Sequence, residues 1–166
     1  MPKPMTVTKV AIAGALLAVW TTASAQDRSP ATVDLQRFAN EFVAAIAEAD
    51  WSSFRRFWAE DAVMYAPAST GSIRLEGLAA LEREWRVQFD QMRDLAKKRG
   101  LTAAPFTTIA PRDLRIDQVA PSVGVVSFHL DDEGRIRRRM FVAVKSGSEW
   151  RVTHLHASNL PAEAKN

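Results

Sequence analysis

Residues 123–156 read VGVVSFHLDDEGRIRRRMFVAVKSGSEWRVTHLH, and this stretch decides the fold. Three runs rich in β-branched and aromatic residues, Val123–Leu130, Ile136–Lys145 and Trp150–His156, are separated by Asp132-Glu133-Gly134 and by a turn around Gly147. Runs of this length bounded by Gly and Asp are strands of a meander joined by tight turns. Asp131 is expected to face Arg135, and Lys145 to face Glu149, as opposite-charge cross-strand pairs. With a three-residue turn at 132–134, His129 falls opposite Arg137, and a slip of one residue exchanges the faces.

Working outward, Phe106–Ile109 and Leu114–Val119 are further strand candidates, with Pro111 marking an edge or bulge. Before them, Leu78, Leu81, Trp85, Phe89, Met92 and Leu95 keep helical spacing after Gly77. Lys97, Lys98 and Arg99 fill the last turn of that helix, and Gly100 is placed to close it. A first helix follows Thr32, with Leu35, Phe38, Phe42, Ala45 and Ala49 at spacings of three and four. Asp50 then caps a short second helix carrying Trp51, Phe54 and Trp58 on one face. Asp61–Tyr65 reads as a brief strand, stopped by Pro67 and a Ser/Thr/Gly turn at 69–72. Helices first and strands later give an α+β layer: three N-terminal helices packed on a curved antiparallel β-sheet.

The chain has 166 residues, 47% hydrophobic and 25% charged, enough for one domain and too apolar for a disordered chain. It contains no cysteine, which excludes disulfides, thiolate zinc sites and cysteine nucleophiles. Lys3 and Lys9 precede eleven apolar residues, Val10–Trp20, and Ala23-Ser24-Ala25 follows as a cleavage signature. That order is a secretory signal peptide over residues 1–25, too short in its apolar part to span a bilayer. Cleavage after Ala25 predicts a periplasmic or secreted protein with no membrane association thereafter. It also leaves 20 bases against 19 acids, so the formal +3 of the whole chain is no argument for nucleic acid. The mature chain divides into a linker at 26–32, a domain at 33–160 and a tail at 161–166.

The order and spacing of four stretches resemble the SnoaL-like branch of the ketosteroid isomerase-like, or nuclear transport factor 2-like, superfamily. The stretches are Phe42–Ile46 with Ala49-Asp50-Trp51; Phe57–Val63; Glu76–Leu81; and Trp150–Ser158, which ends in His154-Leu155-His156-Ala157-Ser158. The last is also similar to the association domain of calcium/calmodulin-dependent kinases. The resemblance implies a cone-shaped roll, with three helices wrapped on the sheet, a pocket between them, and a homodimer through the sheet's outer face. It does not carry over isomerase chemistry. The positions matching the isomerases' tyrosine, general-base aspartate and protonated aspartate are Phe42, Ala66 and Met140. None can supply the base or the oxyanion donors that the reaction needs. The association-domain relatives also carry an arginine where this chain has Ala157.

Within that frame Phe42, Trp58, Trp85 and Phe128 are candidate pocket walls, equally suited to plain core packing. Arg138 alternates with Ile136, Met140, Val142 and Val144, while Arg137 and Arg139 point the other way. A lone arginine among apolar neighbours needs a carboxylate or a bound anion, so Arg138, with Met140 beside it, is the expected polar group of the pocket. His154 and His156 share a strand face and are expected with Trp150 on the outer side. No third ligand is evident near them, so neither a metal nor a cofactor is expected. Arg74 lies near the expected mouth. No Gly-rich phosphate loop, nucleophile elbow or HExxH motif is present. The expected function is binding of a small, largely apolar molecule, with or without a carboxylate, and no assigned reaction. The alternatives are a lyase, cyclase or isomerase using Tyr65, His129 and Asp61 as an acid–base set, and a self-association module.

Overall fold

Asp50 sets the first corner of the chain. Its carboxylate accepts hydrogen bonds from the hydroxyls and the backbone N–H groups of Ser52 and Ser53, as an N-cap does. Those bonds, the Ser52 hydroxyl foremost, hold its pKa down at about 2. The computed structural model describes residues 30–67, 74–132 and 135–161. It places α1 (Pro30–Glu48) before this cap and α2 (Trp51–Phe54) after it. α1 therefore begins within the stretch expected as a linker. The signal peptide and the turn at 69–72 fall outside the described residues.

α2 gives way to a single 3-10 turn, Arg55–Phe57, and the chain then enters β1 (Trp58–Tyr65). Trp58 is therefore the first residue of a strand, with φ −107 and ψ 142, and not the end of a helix. A helix this short gains little from its own hydrogen bonds, and a ladder position opposite Val152 takes Trp58 instead. A two-residue strand, β2 (Leu75–Glu76), precedes α3 (Gly77–Lys98). Gly100 closes α3 with φ +80, as its position predicts. From α3, Arg93 donates to the carbonyl of Ala49, which itself holds a left-handed φ of 51 between α1 and α2. Phe106–Ile109 forms no strand. Its Phe106 N–H bonds to the Ala47 carbonyl at 2.8 Å, so the segment braces α1.

The remaining strands are β3 (Arg112–Ala120), β4 (Val123–Asp132), β5 (Arg135–Ser146) and β6 (Glu149–Pro161). The six strands lie in the order β2-β1-β6-β5-β4-β3. Every neighbour pair is antiparallel except β1 with β6, which run parallel, so the sheet is mixed. The α+β cone expected from the sequence is thus the observed fold, with that one change of direction.

Register separates the structure from the sequence reading. Asp132 pairs with Arg135, leaving two intervening residues instead of three; Glu133 and Gly134 lie outside the described residues. The consequent slip puts His129 opposite Arg138, not Arg137, and Asp131 opposite Ile136, not Arg135. Lys145 pairs with Trp150 and Ser146 with Glu149. Lys145 reaches Asp34 of α1 at 3.1 Å, and Glu149 instead meets Arg151 at 2.6 Å. A second correction comes from a bulge in β6. Val142 pairs with His154 but Ala143 with Val152, leaving Thr153 over. The extra residue turns Trp150 and Val152 inward while His154 and His156 stay outside.

Candidate functional site

Cross-strand partners point to the same side of a sheet, which assigns the faces. Val126, Phe141 and Leu155 are partners and all buried, so they mark the face turned toward the helices. Two residues further along, the inner row is Phe128, Arg139 and Ala157, and beyond it Leu130, Arg137 and Asn159. The outer face carries His129, Arg138 and Ser158 in one row and Ser127, Met140 and His156 in the next.

Against the expectation from the sequence, Arg138 therefore looks away from the cone, its Nε donating to Ser158 Oγ at 3.2 Å. Met140 goes with it and is 46% exposed. The alternation was legible but its polarity was not, because β5 carries apolar residues on both faces. Phe141 and Ala143 take the core, while Met140, Val142 and Val144 take the outer side. Arg139, two residues before Phe141 on the inner face, is the arginine that alternation alone did not single out. The aromatic Phe141 was the available signal, since a ring in mid-strand is the residue most worth burying.

The aromatic walls do come together. Phe42 lies 5.8 Å from Trp58, 5.1 Å from Phe54 and 4.9 Å from Phe141 between ring centroids. Trp58 and Trp85 are 6.2 Å apart, and Trp85 packs on Phe54 at 4.7 Å. Phe128 is buried in the same hydrophobic cluster, and Trp85 packs against it. The indole N–H groups in this cluster are distinctive. Trp51 spends its N–H on Glu82, helping to hold that carboxyl below its usual range, where Arg86 is the main influence. The Nε1 atoms of Trp58 and Trp85, and that of Trp150, are buried without a hydrogen-bond partner among the described residues. An unpartnered buried donor costs about 1–3 kcal/mol.

The suggested acid–base set does not converge. Tyr65 lies on the outer face with its ring 6.4 Å from that of His156. His129 Nδ1, on the third strand from β1, lies 3.3 Å from Asp113 Oδ2. With β5 and β6 between them, β1 and β4 are about 14 Å apart at ordinary strand spacing. Asp61 is exposed. Arg74 pairs with Glu76 at 2.6 Å in an exposed position. His154 and His156 stand on the outer face, and no group of three potential metal ligands exists among the described residues. No described helix is long and apolar enough to cross a membrane.

Comparison with known proteins agrees with this geometry. Solved structures with the same fold include a nuclear transport factor 2-like protein of unknown function from Pseudomonas putida, 17% identical, with a TM-score of 0.60 over 77% of this chain and 85% of that one. A protein with a cystatin-like fold from Caulobacter vibrioides is 13% identical, with a TM-score of 0.62 over 81% and 92%. The calcium/calmodulin-dependent kinase II hub homology domain of Chlamydomonas reinhardtii is 16% identical, with a TM-score of 0.53 over 78% and 98%. At these identities the likeness is one of fold. No curated protein matches the chain. Residues 35–163, however, match the SnoaL-like domain family. With that match spanning most of its length, the chain belongs to the SnoaL-like domain family.

Proposed function

We propose that this protein is an exported binding domain that holds a small, largely apolar molecule inside the cone. The observation that supports it is the pair of buried, unpartnered indole N–H groups of Trp58 and Trp85, in rings that touch within an aromatic wall. A folded chain gains nothing by burying two such donors. A ligand presenting an acceptor oxygen recovers that loss on binding, and its apolar body adds the area it removes from water. Export follows from the signal-like residues 1–25.

Native mass spectrometry of protein recovered from the periplasm or medium tests both parts together. The expected mass is that of a chain beginning at Gln26, with an adduct that leaves on denaturation. Trp58→Phe keeps the ring and removes the donor, so the adduct should fall at least several-fold in occupancy at about 1–2 kcal/mol per lost bond. An intact leader in the exported fraction sinks the first part. A mature protein with no adduct, unstabilised by any apolar probe, sinks the second.

Self-association is supported by a different observation. The outer face presents the half-buried Val63, Val125 and Val142, the exposed Met140 and a 42% exposed Tyr65 around them. An apolar surface of this kind is ordinarily covered, and a two-fold contact of the sheet with its copy is the arrangement we propose. The hub homology domain among the similar structures is compatible with it. Sedimentation should show a dimer for the mature chain and a monomer for Val142→Asp; a monomeric mature chain at high protein concentration rejects the contact.

A further inference from the structure

The arginines of this chain divide in a way that simple electrostatics does not predict. Arg37, Arg86, Arg93, Arg115 and Arg151, all on the surface, each meet an Asp or Glu within 2.8 Å. Surface pairs of this kind contribute little. A desolvated guanidinium is where a carboxylate is needed most, yet Arg139, on the inner face between Phe128 and Ala157, has none among the described residues. Its Nη1 donates to the carbonyls of Arg138 and Ser158, at 2.8 and 3.2 Å, and to Asn159 Oδ1 at 3.4 Å. All three acceptors fall on that one nitrogen. Nε and Nη2, the edge of the fork that matches the two oxygens of a carboxylate, have no partner among the described residues. Burial, with the Arg137 charge adding to it, lowers the Arg139 guanidinium to about 10.

We propose that Arg139, with Arg137 beside it on the same face, is the seat for the carboxylate of the molecule bound in the cone. The class of ligand is therefore an apolar body bearing a single carboxylate. The body lies along Phe128 and the aromatic wall, and the charged end meets the Nε–Nη2 edge. Asn159 and the Ser158 carbonyl hold the fork in place through Nη1, so it is oriented before the ligand arrives. Arg138, one residue away on the opposite face, takes no part. This rests on the ligand-binding reading above and specifies it.

The test compares octanoate with octanol and with inorganic phosphate, by thermal shift on the mature chain and on Arg139→Met, Arg139→Gln and Arg138→Met. Octanoate should raise the melting temperature of the unsubstituted chain and of Arg138→Met by about 3 °C or more at several times its dissociation constant. Neither Arg139 variant should respond to octanoate beyond its response to octanol. Without ligand, Arg139→Met should melt no lower than the unsubstituted chain, because it removes an uncompensated charge; a purely structural arginine would give a clear drop. If Arg139→Met does not fold, the Arg139 Nε–H resonance of the unsubstituted chain provides a second measurement, and it should shift as octanoate is titrated. Equal stabilisation by octanol and octanoate overturns the anion seat and leaves the apolar cone standing. A response to phosphate as large as that to octanoate rejects the carboxylate class. An octanoate response retained in Arg139→Met, or lost in Arg138→Met, overturns the assignment of the residue. No response to octanoate or octanol removes the seat together with the reading on which it rests.

Discussion

Phe42→Ala should cost about 3–5 kcal/mol of folding stability, the range for removing a fully enclosed aromatic ring. Phe42 is 1% exposed. Its ring contacts those of Phe54, Phe57, Trp58 and Phe141, with centroids 4.9 to 5.8 Å away. These four come from the second helix, the turn after it, β1 and β5, so no single element can move in to fill the space. The cost is a large fraction of the roughly 5–15 kcal/mol that holds a domain together. Urea denaturation with an unchanged m-value would read it directly. A loss below about 1 kcal/mol would mean that the interior repacks freely, and with it the rigid aromatic wall assumed above would fail.

The second large effect is expected at Gly124→Ala. An added Cβ would stand 2.1 Å from Leu35 Cδ2 and 3.1 Å from Cδ1, and Leu35 is wholly buried. The side chain is thus flexible in kind but confined in place. α1 is also tied down over these strands by Lys145 to Asp34 and by Thr32 to Gln118 at 2.9 Å, which resists its lifting away. Overpacking of this sort costs about 1–3 kcal/mol. Combining Gly124→Ala with Leu35→Ala should cost less than the sum of the two, because each change makes room for the other. Strict additivity in the double-mutant cycle would show that the helix and strand do not meet there as described.

The helices and the meander were legible because their signals are local. A cap at Asp50, a sustained apolar period through α3 and a glycine at 100 each act within a few residues of the structure they specify. The strand ends were less so. β1 absorbs Trp58, which sits at helical spacing from Trp51 and Phe54, because a parallel partner from the far end of the chain claims it. The site suffered most, for the same reason. One residue fewer in the turn after Asp132 and one residue extra at Thr153 decide which arginine and which tryptophan face inward. Neither has a local marker strong enough to count by. Phe42, Trp58 and Trp85 were readable as a group because bulky aromatics go to the interior whatever the register. Arg138 and Arg139 differ only by a step of the pleat.

The parallel contact of β1 with β6 also governs the order in which the domain can be built. On one edge Val63 pairs with Glu76 of the two-residue β2, but on the edge that joins the rest of the sheet its partner is His154, with α3 and the whole meander between them. Helix α3 and the β3–β6 meander can gather locally, whereas the β1–β2 pair must wait for the last strand before it can join the rest of the sheet. During synthesis, the long edge of β1 therefore stays unpaired until the final segment emerges. A chain shortened before Glu149 would retain every helix and still be unable to close its sheet.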